Sequence, residues 1–348
     1  MTVVFEDPWL TVLHGDVRAV LPTLADASID AVVTSPPYWQ QRSYLEPDDP
    51  LKPLEIGQEP TFADWLSVMA SICTEIRRVL RPNGSLWLVL GDKYVAYGGE
   101  NAFGDRADNT AYRRKVPTWR VRPSAFPAGL RRKSLLLAPY RLAMALEEAG
   151  WILRDRIVWF KTNGIPESVG DRFHVRDEVI FRFTPERFAY FDVDAVRQPY
   201  SQAAIARSQA HRAPTFAGRK GYPPGQPPRH PKIWTGDEAD AHRTAFLAQG
   251  DIRDDGKNPG NVWPMATASR GGNRFRHFAM FPRELVERCI KSTVPRGGVV
   301  LDPFAGTGTT AEVANALMRR AVLVELDPTS IEEIRVRCQK RSIAEVPA

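Results

Sequence analysis

Apolar and polar residues alternate along residues 10–14, and the run stops at Gly15-Asp16, a pattern that predicts a short strand. Residues 17–28 follow as a short, irregular amphipathic piece, and residues 29–35 (IDAVVTS) as a buried apolar strand. A loop rich in Pro, Asp and Glu then runs from Pro36 to Pro60. The clearest helix comes next. Trp65, Val68, Met69, Ile72, Ile76, Val79 and Leu80 recur at helical spacing, with Thr61 and Asp64 placed as a capping box. Arg81-Pro82-Asn83-Gly84 ends it, and residues 85–92 read as the next strand. Pro139 and Gly150 bracket a further helix. Residues 151–161 are strand-like, and residues 178–184 and 188–194 pair as a hairpin. Near the end, helix (281–292), strand (297–303), helix (309–320), strand (321–328) and helix (331–340) alternate.

Strands separated by amphipathic helices imply parallel pairing in a layered α/β sheet, whose ligands sit at the carboxyl ends of strands. Between residues 201 and 260 this pattern collapses. Six prolines lie from Pro214 to Pro231, beside glycines and basic residues, so this is a long insertion, either loop-rich or ordered only on binding. No internal repeat is visible.

The length of 348 residues suits one large domain with insertions, or two domains. With 43% hydrophobic and 25% charged residues the composition is that of a soluble globular protein. No stretch approaches the roughly 18 apolar residues of a membrane span, and the first residues lack the pattern of a secretory signal. Cys73, Cys289 and Cys338 lie far apart, which argues against a disulfide framework and a Cys-rich zinc site and makes a cytoplasmic location the expectation.

The formal net charge is +6, and its placement is uneven. Residues 101–133 hold nine Lys/Arg against two Asp/Glu, and residues 200–276 hold twelve against six, leaving the rest of the chain acidic. Aromatic residues interleave with this charge: Tyr112, Trp119, Phe126, Phe216, Tyr222 and Trp234. Basic and aromatic side chains together suit phosphate contacts with stacking on bases, so a nucleic acid is the expected partner. Arg113, Arg114, Lys115, Arg131, Arg132, Lys133, Arg219 and Lys220 are the candidate contacts.

Two motifs fall at strand ends. In Asp302-Pro303-Phe304-Ala305-Gly306-Thr307-Gly308-Thr309-Thr310 a strand enters a turn with two glycines and then a helix, a place where backbone approaches a ligand closely and free N–H groups meet an anion. Glu325, at the end of the following strand, stands where a carboxylate would accept ribose hydroxyls. No Gly-Lys-Ser/Thr follows, so the loop is not a P-loop. The second motif, Thr34-Ser35-Pro36-Pro37-Tyr38-Trp39, is at least a rigid exit turn. It also fixes a hydroxyl, a carbonyl and aromatic rings that would clamp a planar ring, with Tyr38 stacking while Ser35 and the Pro36 carbonyl meet an exocyclic amine.

Taken in this order, TSPPYW and DPFAGTGTT resemble the β group of DNA amino-methyltransferases over roughly residues 10–195 and 261–340. Supporting matches are Leu13-His14-Gly15-Asp16, Arg81-Pro82-Asn83-Gly84, Gly91-Asp92, Trp159-Phe160-Lys161-Thr162-Asn163 and His277-Phe278-Ala279-Met280-Phe281-Pro282, in which Phe278 replaces the commoner proline after histidine. The resemblance implies a doubly wound, Rossmann-like α/β methyltransferase sheet, circularly permuted. Residues 1–195 would be the catalytic half with a basic loop at 97–134, 196–260 the irregular target-recognition insertion, and 261–348 the cofactor half. It implies S-adenosyl-L-methionine as cofactor, double-stranded DNA as partner and no metal. Asp302, Phe304, Gly306, Gly308 and Thr309 would form its loop, Glu325 would meet its ribose, Asp16 its adenine amino group, and Phe281 and Pro282 its methionine moiety. Ser35, Pro36, Pro37 and Tyr38 would be catalytic, with serine at the first position pointing to cytosine N4. N6-adenine methylation is the nearest rival, and a non-catalytic DNA-binding protein on the same scaffold another. A homodimer and a cognate restriction endonuclease stay open as partners.

Overall fold

The computed structural model describes residues 2–96, 122–164, 166–203, 205, 256–268 and 281–339. Every residue of strand β3 (Ile29–Thr34) is buried, as expected of a central strand covered on both faces. Its flanks are β4 (Leu80–Leu90) and β8 (Val299–Asp302), both parallel to it. β9 (Arg320–Glu325) and β2 (Leu10–His14) extend the parallel set beyond β8, and β1 (Thr2–Glu6) closes that edge antiparallel. On the other side β6 (Asp177–Thr184) runs antiparallel to β4, and β5 (Ile152–Lys161) antiparallel to β6. β7 (Val262–Met265) completes a nine-stranded sheet of order β1-β2-β9-β8-β3-β4-β6-β5-β7.

Period-two alternation sends successive residues to opposite cores. Val32, Leu86, Leu88 and Phe181 belong to one core, and Ala31, Val33, Trp87, Val89 and Ile180 to the other. α2 (Phe62–Val79) and α3 (Ala138–Glu148) cover the first face through Trp65, Met69, Ile72, Ile76, Leu142 and Leu146. α4 (Arg283–Thr293), α5 (Thr309–Ala316) and α6 (Pro328–Gln339) cover the second through Leu285, Cys289, Ile290, Ala311, Ala314 and Ile334. The short α1 (Val17–Val20) lies after β2 with Asp16 as its N-cap. Helices on both faces make the sheet doubly wound. α2 begins with the capping box read from the sequence: Thr61 accepts from the Asp64 N–H and Asp64 from the Thr61 N–H.

Residues 178–184 do not pair with 188–194. They form β6, hydrogen-bonded to β4 and β5 on its two edges, so both of its pairing edges are filled and residues 188–194 form no strand. β1 and β7 were not legible as strands. Residues 193–259 form a separate compact unit, in which Gln198 bridges Lys257 and the Arg197 guanidinium donates to the Gly256 carbonyl (2.9 Å). Among the described residues no helix is long and apolar enough to cross a membrane.

Asp30 pins the entry of the central strands. Its buried carboxylate accepts from the Val299 N–H (2.8 Å) and the Arg81 guanidinium (2.7 Å), joining β3, β8 and β4 at the end opposite the motifs. Asp30→Ala leaves a buried N–H without its acceptor. An equilibrium urea titration is expected to show a loss of about 2 kcal/mol, with an unchanged m value.

Candidate functional site

The two motifs leave the same rim of the sheet from adjacent strands, and a buried carboxylate joins them. Asp302, the last residue of β8, accepts from the Thr34 hydroxyl (2.7 Å) at the end of β3 and from the Thr310 hydroxyl (2.6 Å) in the first turn of α5. It also accepts from the Phe304 N–H (3.2 Å). All three side chains are almost wholly buried. Burial pushes the Asp302 carboxyl up to about 6, against the pull of these donors. Asp302 is therefore a bracket behind the loops, and it does not line the cavity in front of them.

That cavity, about 130 Å³, is walled by both motifs. Ser35 and Pro37 reach it from the first, and Phe304, Gly306 and Thr309 from the second. Asp16, Phe281 and Glu325 complete the predicted residues that line it. Pro36 is buried and does not line it, and the Pro37 carbonyl accepts from the Trp65 indole (3.0 Å), which ties the turn to α2. Pro282 caps α4 directly after Phe281.

Glu325 faces the glycine loop. Its Oε2 accepts from the Gly306 N–H (2.7 Å), and its Oε1 from the N–H groups of Leu326 and Asp327 (both 2.9 Å). Burial raises the carboxyl to about 7 despite those three donors. Gly306 has φ 52° and Gly308 φ 79°, left-handed values that favour glycine. At Gly308 a Cβ would lie 3.0 Å from Ile334 on α6, so this glycine lets two helices approach rather than opening the cavity. Thr309 accepts from Arg337 (2.7 Å), also of α6. Asp16 is held by Arg18 in an ion pair (2.7 Å), so its carboxylate reaches the cavity already partnered.

Tyr38 does not line that cavity; it lines a recess beside Ser35, with Leu90, Gly91 and Lys93. Gly91 leaves room for the ring: a Cβ there would lie 2.8 Å from the Tyr38 ring and 3.5 Å from the Glu178 carboxyl carbon. The phenol oxygen is 3.1 Å from the Ser35 hydroxyl and donates to Glu178 (3.0 Å). Burial and the Glu178 charge hold this phenol well above the ordinary tyrosine range.

Sequence reasoning missed several of these neighbours. Tyr44, Leu45 and Ile56, from the loop read only as Pro- and acid-rich, fold back to line the cavity. Asp327 and Leu326 line it beside Glu325, and the run Glu-Leu-Asp-Pro after β9 was their signal. Glu178 had no motif around it. Of the candidate DNA contacts, Arg131, Arg132 and Lys133 are exposed, and Lys133 pairs with Asp171 (2.5 Å). Arg113, Arg114, Lys115, Arg219 and Lys220 lie outside the described residues, as do most of the basic loop and of the insertion. Among the described residues no cluster of three His, Cys, Asp or Glu forms a metal site.

Comparison with known proteins gives a consistent picture. A family profile for DNA methylases of the N6/N4 type matches residues 29–336. The Type II methyltransferase M.XycI of Xanthomonas campestris pv. cyanopsidis is 32% identical over 97% of this chain and 91% of its own length. M.Cfr9I of Citrobacter freundii is also 32% identical, over 92% of this chain and 85% of its own. Among solved structures, the cytosine-N4-specific PvuII DNA methyltransferase superposes with a TM-score of 0.60 at 15% identity, covering 99% of this chain and 92% of that one. A putative DNA modification methylase from Thermus thermophilus, complexed with S-adenosyl-L-methionine, gives a TM-score of 0.52 at 23% identity, with coverage of 96% and 95%. The fold is thus shared with those methyltransferases, and the chain itself belongs to the N6/N4 family of DNA methylases.

Proposed function

We propose that this methyltransferase transfers a methyl group from S-adenosyl-L-methionine to the exocyclic N4 amine of a cytosine swung out of duplex DNA. The observation that carries the reading is the shared cavity: Ser35, which heads the Ser-Pro-Pro-Tyr turn, opens onto the space walled by Gly306 and Glu325.

The donor set fits the cofactor. Glu325 is a carboxylate at the cavity wall, with lone pairs left to accept ribose hydroxyls, and Phe281 and Phe304 supply apolar walls. Asp16, though paired with Arg18, stands where it would accept from the adenine amine. When bound, the sulfonium supplies a strongly electrophilic methyl group. The protein's share of the chemistry is orientation. A base amine is a poor nucleophile because its lone pair is delocalised into the ring. Hydrogen bonds from that amine to Ser35 Oγ and the Pro36 carbonyl favour a pyramidal nitrogen and aim its lone pair at the neighbouring site. The proton leaves after transfer, so no strong base is demanded. No covalent link to the base is needed either: Cys73 and Cys289 are buried thiols, and burial pushes Cys73 up to about 12 and raises Cys289 as well.

Swinging the base out costs a few kcal/mol, offset by stacking on Tyr38 and by phosphate contacts from the basic segments, Arg131 and Arg132 among them. Residues 196–260 are the candidate target-recognition insertion, and the Type II relatives make a site-specific target the natural reading. Ser35, in place of the acidic or amide residue that usually accompanies adenine, favours cytosine. Incubation with DNA of varied sequence, then mass spectrometry of the nucleosides, is expected to yield N4-methylcytosine. N6-methyladenine would overturn the choice of base, and absence of any methylated nucleoside the enzymatic reading.

Two further outcomes are expected. Tyr38→Ala should lower the methylation rate by about 10- to 100-fold, the loss of one aromatic–base stack, while cofactor affinity measured by calorimetry changes less than about threefold. Equal loss of both would remove the stacking role. The pH dependence follows from Glu325. Its folded pKa lies above that of an unfolded glutamate, so its protonated form stabilises the protein at low pH and that contribution is lost as pH rises through about 7. Ribose hydroxyls favour the ionised form, so cofactor binding tightens as pH rises through the same range. Cofactor titrations between about pH 6 and pH 8 should show this tightening in the natural protein and a flatter profile in Glu325→Gln.

A further inference from the structure

The hydrogen bonds around Tyr38 take their direction from what each partner can donate or accept. The phenol oxygen carries one proton and lies near three oxygens: Glu178 Oε2 (3.0 Å), the Val89 carbonyl (3.4 Å) and Ser35 Oγ (3.1 Å). The first two are acceptors: the Val89 oxygen is a backbone carbonyl, and the Glu178 carboxylate is paired through its other oxygen with the Lys161 ammonium (2.6 Å). The phenol proton therefore goes to Glu178. Were it turned toward Ser35, a phenol lone pair would face a carboxylate oxygen at hydrogen-bond distance, leaving both oxygens without a proton between them. It follows that Ser35 donates to Tyr38. A serine has a single proton, so its Oγ turns only lone pairs toward the cavity that it lines.

We propose that Glu178, clamped by Lys161, is a positioning residue that orients the Tyr38 and Ser35 hydroxyls and makes Ser35 an obligate acceptor. This rests on the reading of the cavity as the target-base site. An acceptor-only Ser35 welcomes an exocyclic N–H and repels a carbonyl oxygen in the same place. The pair Glu178–Lys161 thus selects an amino base over its keto counterpart, cytosine over uracil or thymine. The strand geometry explains how Glu178 comes to act here. β6 runs against its neighbours, so its beginning, not its end, lies at the rim carrying the motifs; Val179 pairs with Leu90 and Trp159 with Glu178. Lys161 is the last residue of β5 and lies at the same rim, 5.2 Å above the Trp159 ring.

The test compares the natural enzyme with Glu178→Leu, Glu178→Gln and Tyr38→Phe on DNA carrying the mapped target site. A second duplex in which the target base is replaced by its keto analogue serves as competitor. The product of the natural enzyme selects the analogue: uracil where cytosine is methylated, hypoxanthine where adenine is. A wrong choice of base and a failed network are thereby read separately. Glu178→Leu is expected to lower kcat by about tenfold or more with cofactor affinity within about twofold, and to reduce the preference for the amino duplex over the keto duplex by about tenfold. Glu178→Gln, which keeps an acceptor oxygen, is expected to recover most of both losses. Tyr38→Phe removes the relaying oxygen without altering the β6 strand and is expected to lose discrimination as Glu178→Leu does, so a failure of Glu178→Leu to fold still leaves a decisive measurement. Unchanged discrimination in Tyr38→Phe, or in folded Glu178→Leu, overturns the proposal.

Discussion

The site depends on a carboxylate that never enters it. Asp302 sits almost without solvent at the end of β8 and accepts hydrogen bonds from the Thr34 and Thr310 hydroxyls. Burying a carboxylate is costly, and the raised pKa of Asp302 records that cost. The two short hydrogen bonds offset it only while Thr34 and the first turn of α5 keep their places. The same bond set that stabilises the bracket therefore fixes the spacing between the Ser-Pro-Pro-Tyr turn and the glycine loop. A central sheet position gives that bracket a rigid support, since β3 and β8 are covered on both faces.

The sheet arrangement also assigns different work to its two directions. Parallel strands deliver residues at their ends to the rim: His14, Thr34, Leu90, Asp302 and Glu325 close β2, β3, β4, β8 and β9. Antiparallel β6 delivers its beginning, and so adds a charged residue that a parallel strand would have placed at the far side. Gly91 completes this by leaving room where a side chain would separate Tyr38 from Glu178. Backbone direction, one missing Cβ and one half-buried ion pair thus combine into a single local arrangement.

Much of this was legible in the residues. The buried runs of β3, β8 and β9, the capping box of α2 and both glycine and proline motifs carry short-range signals, and each lands where its period or turn chemistry directs. What was not legible is non-local. Residues 178–184 and 188–194 are close in sequence, which favours a hairpin on local grounds, whereas β4 and β5 offer β6 more buried pairing. Glu178 has an ordinary strand context, and only the fold brings it beside Tyr38. Gly308 read as a ligand-approach glycine, and only the position of Ile334 shows that a helix occupies the space above it. Asp302 read as a ligand-facing residue for the same reason, since its two hydroxyl partners come from β3 and α5.

Strand order has a consequence for biosynthesis. β2 and β3 are near neighbours along the chain, yet β8 and β9, made much later in translation, stand between them. On the ribosome the emerging polypeptide must hold β3 with one edge unpaired until residues 299–325 leave the exit tunnel. A prematurely terminated product lacks the bracket and half of the cavity, however well its earlier part has collapsed. The methyltransferase site therefore becomes complete only when the last two strands made, β8 and β9, have joined the sheet.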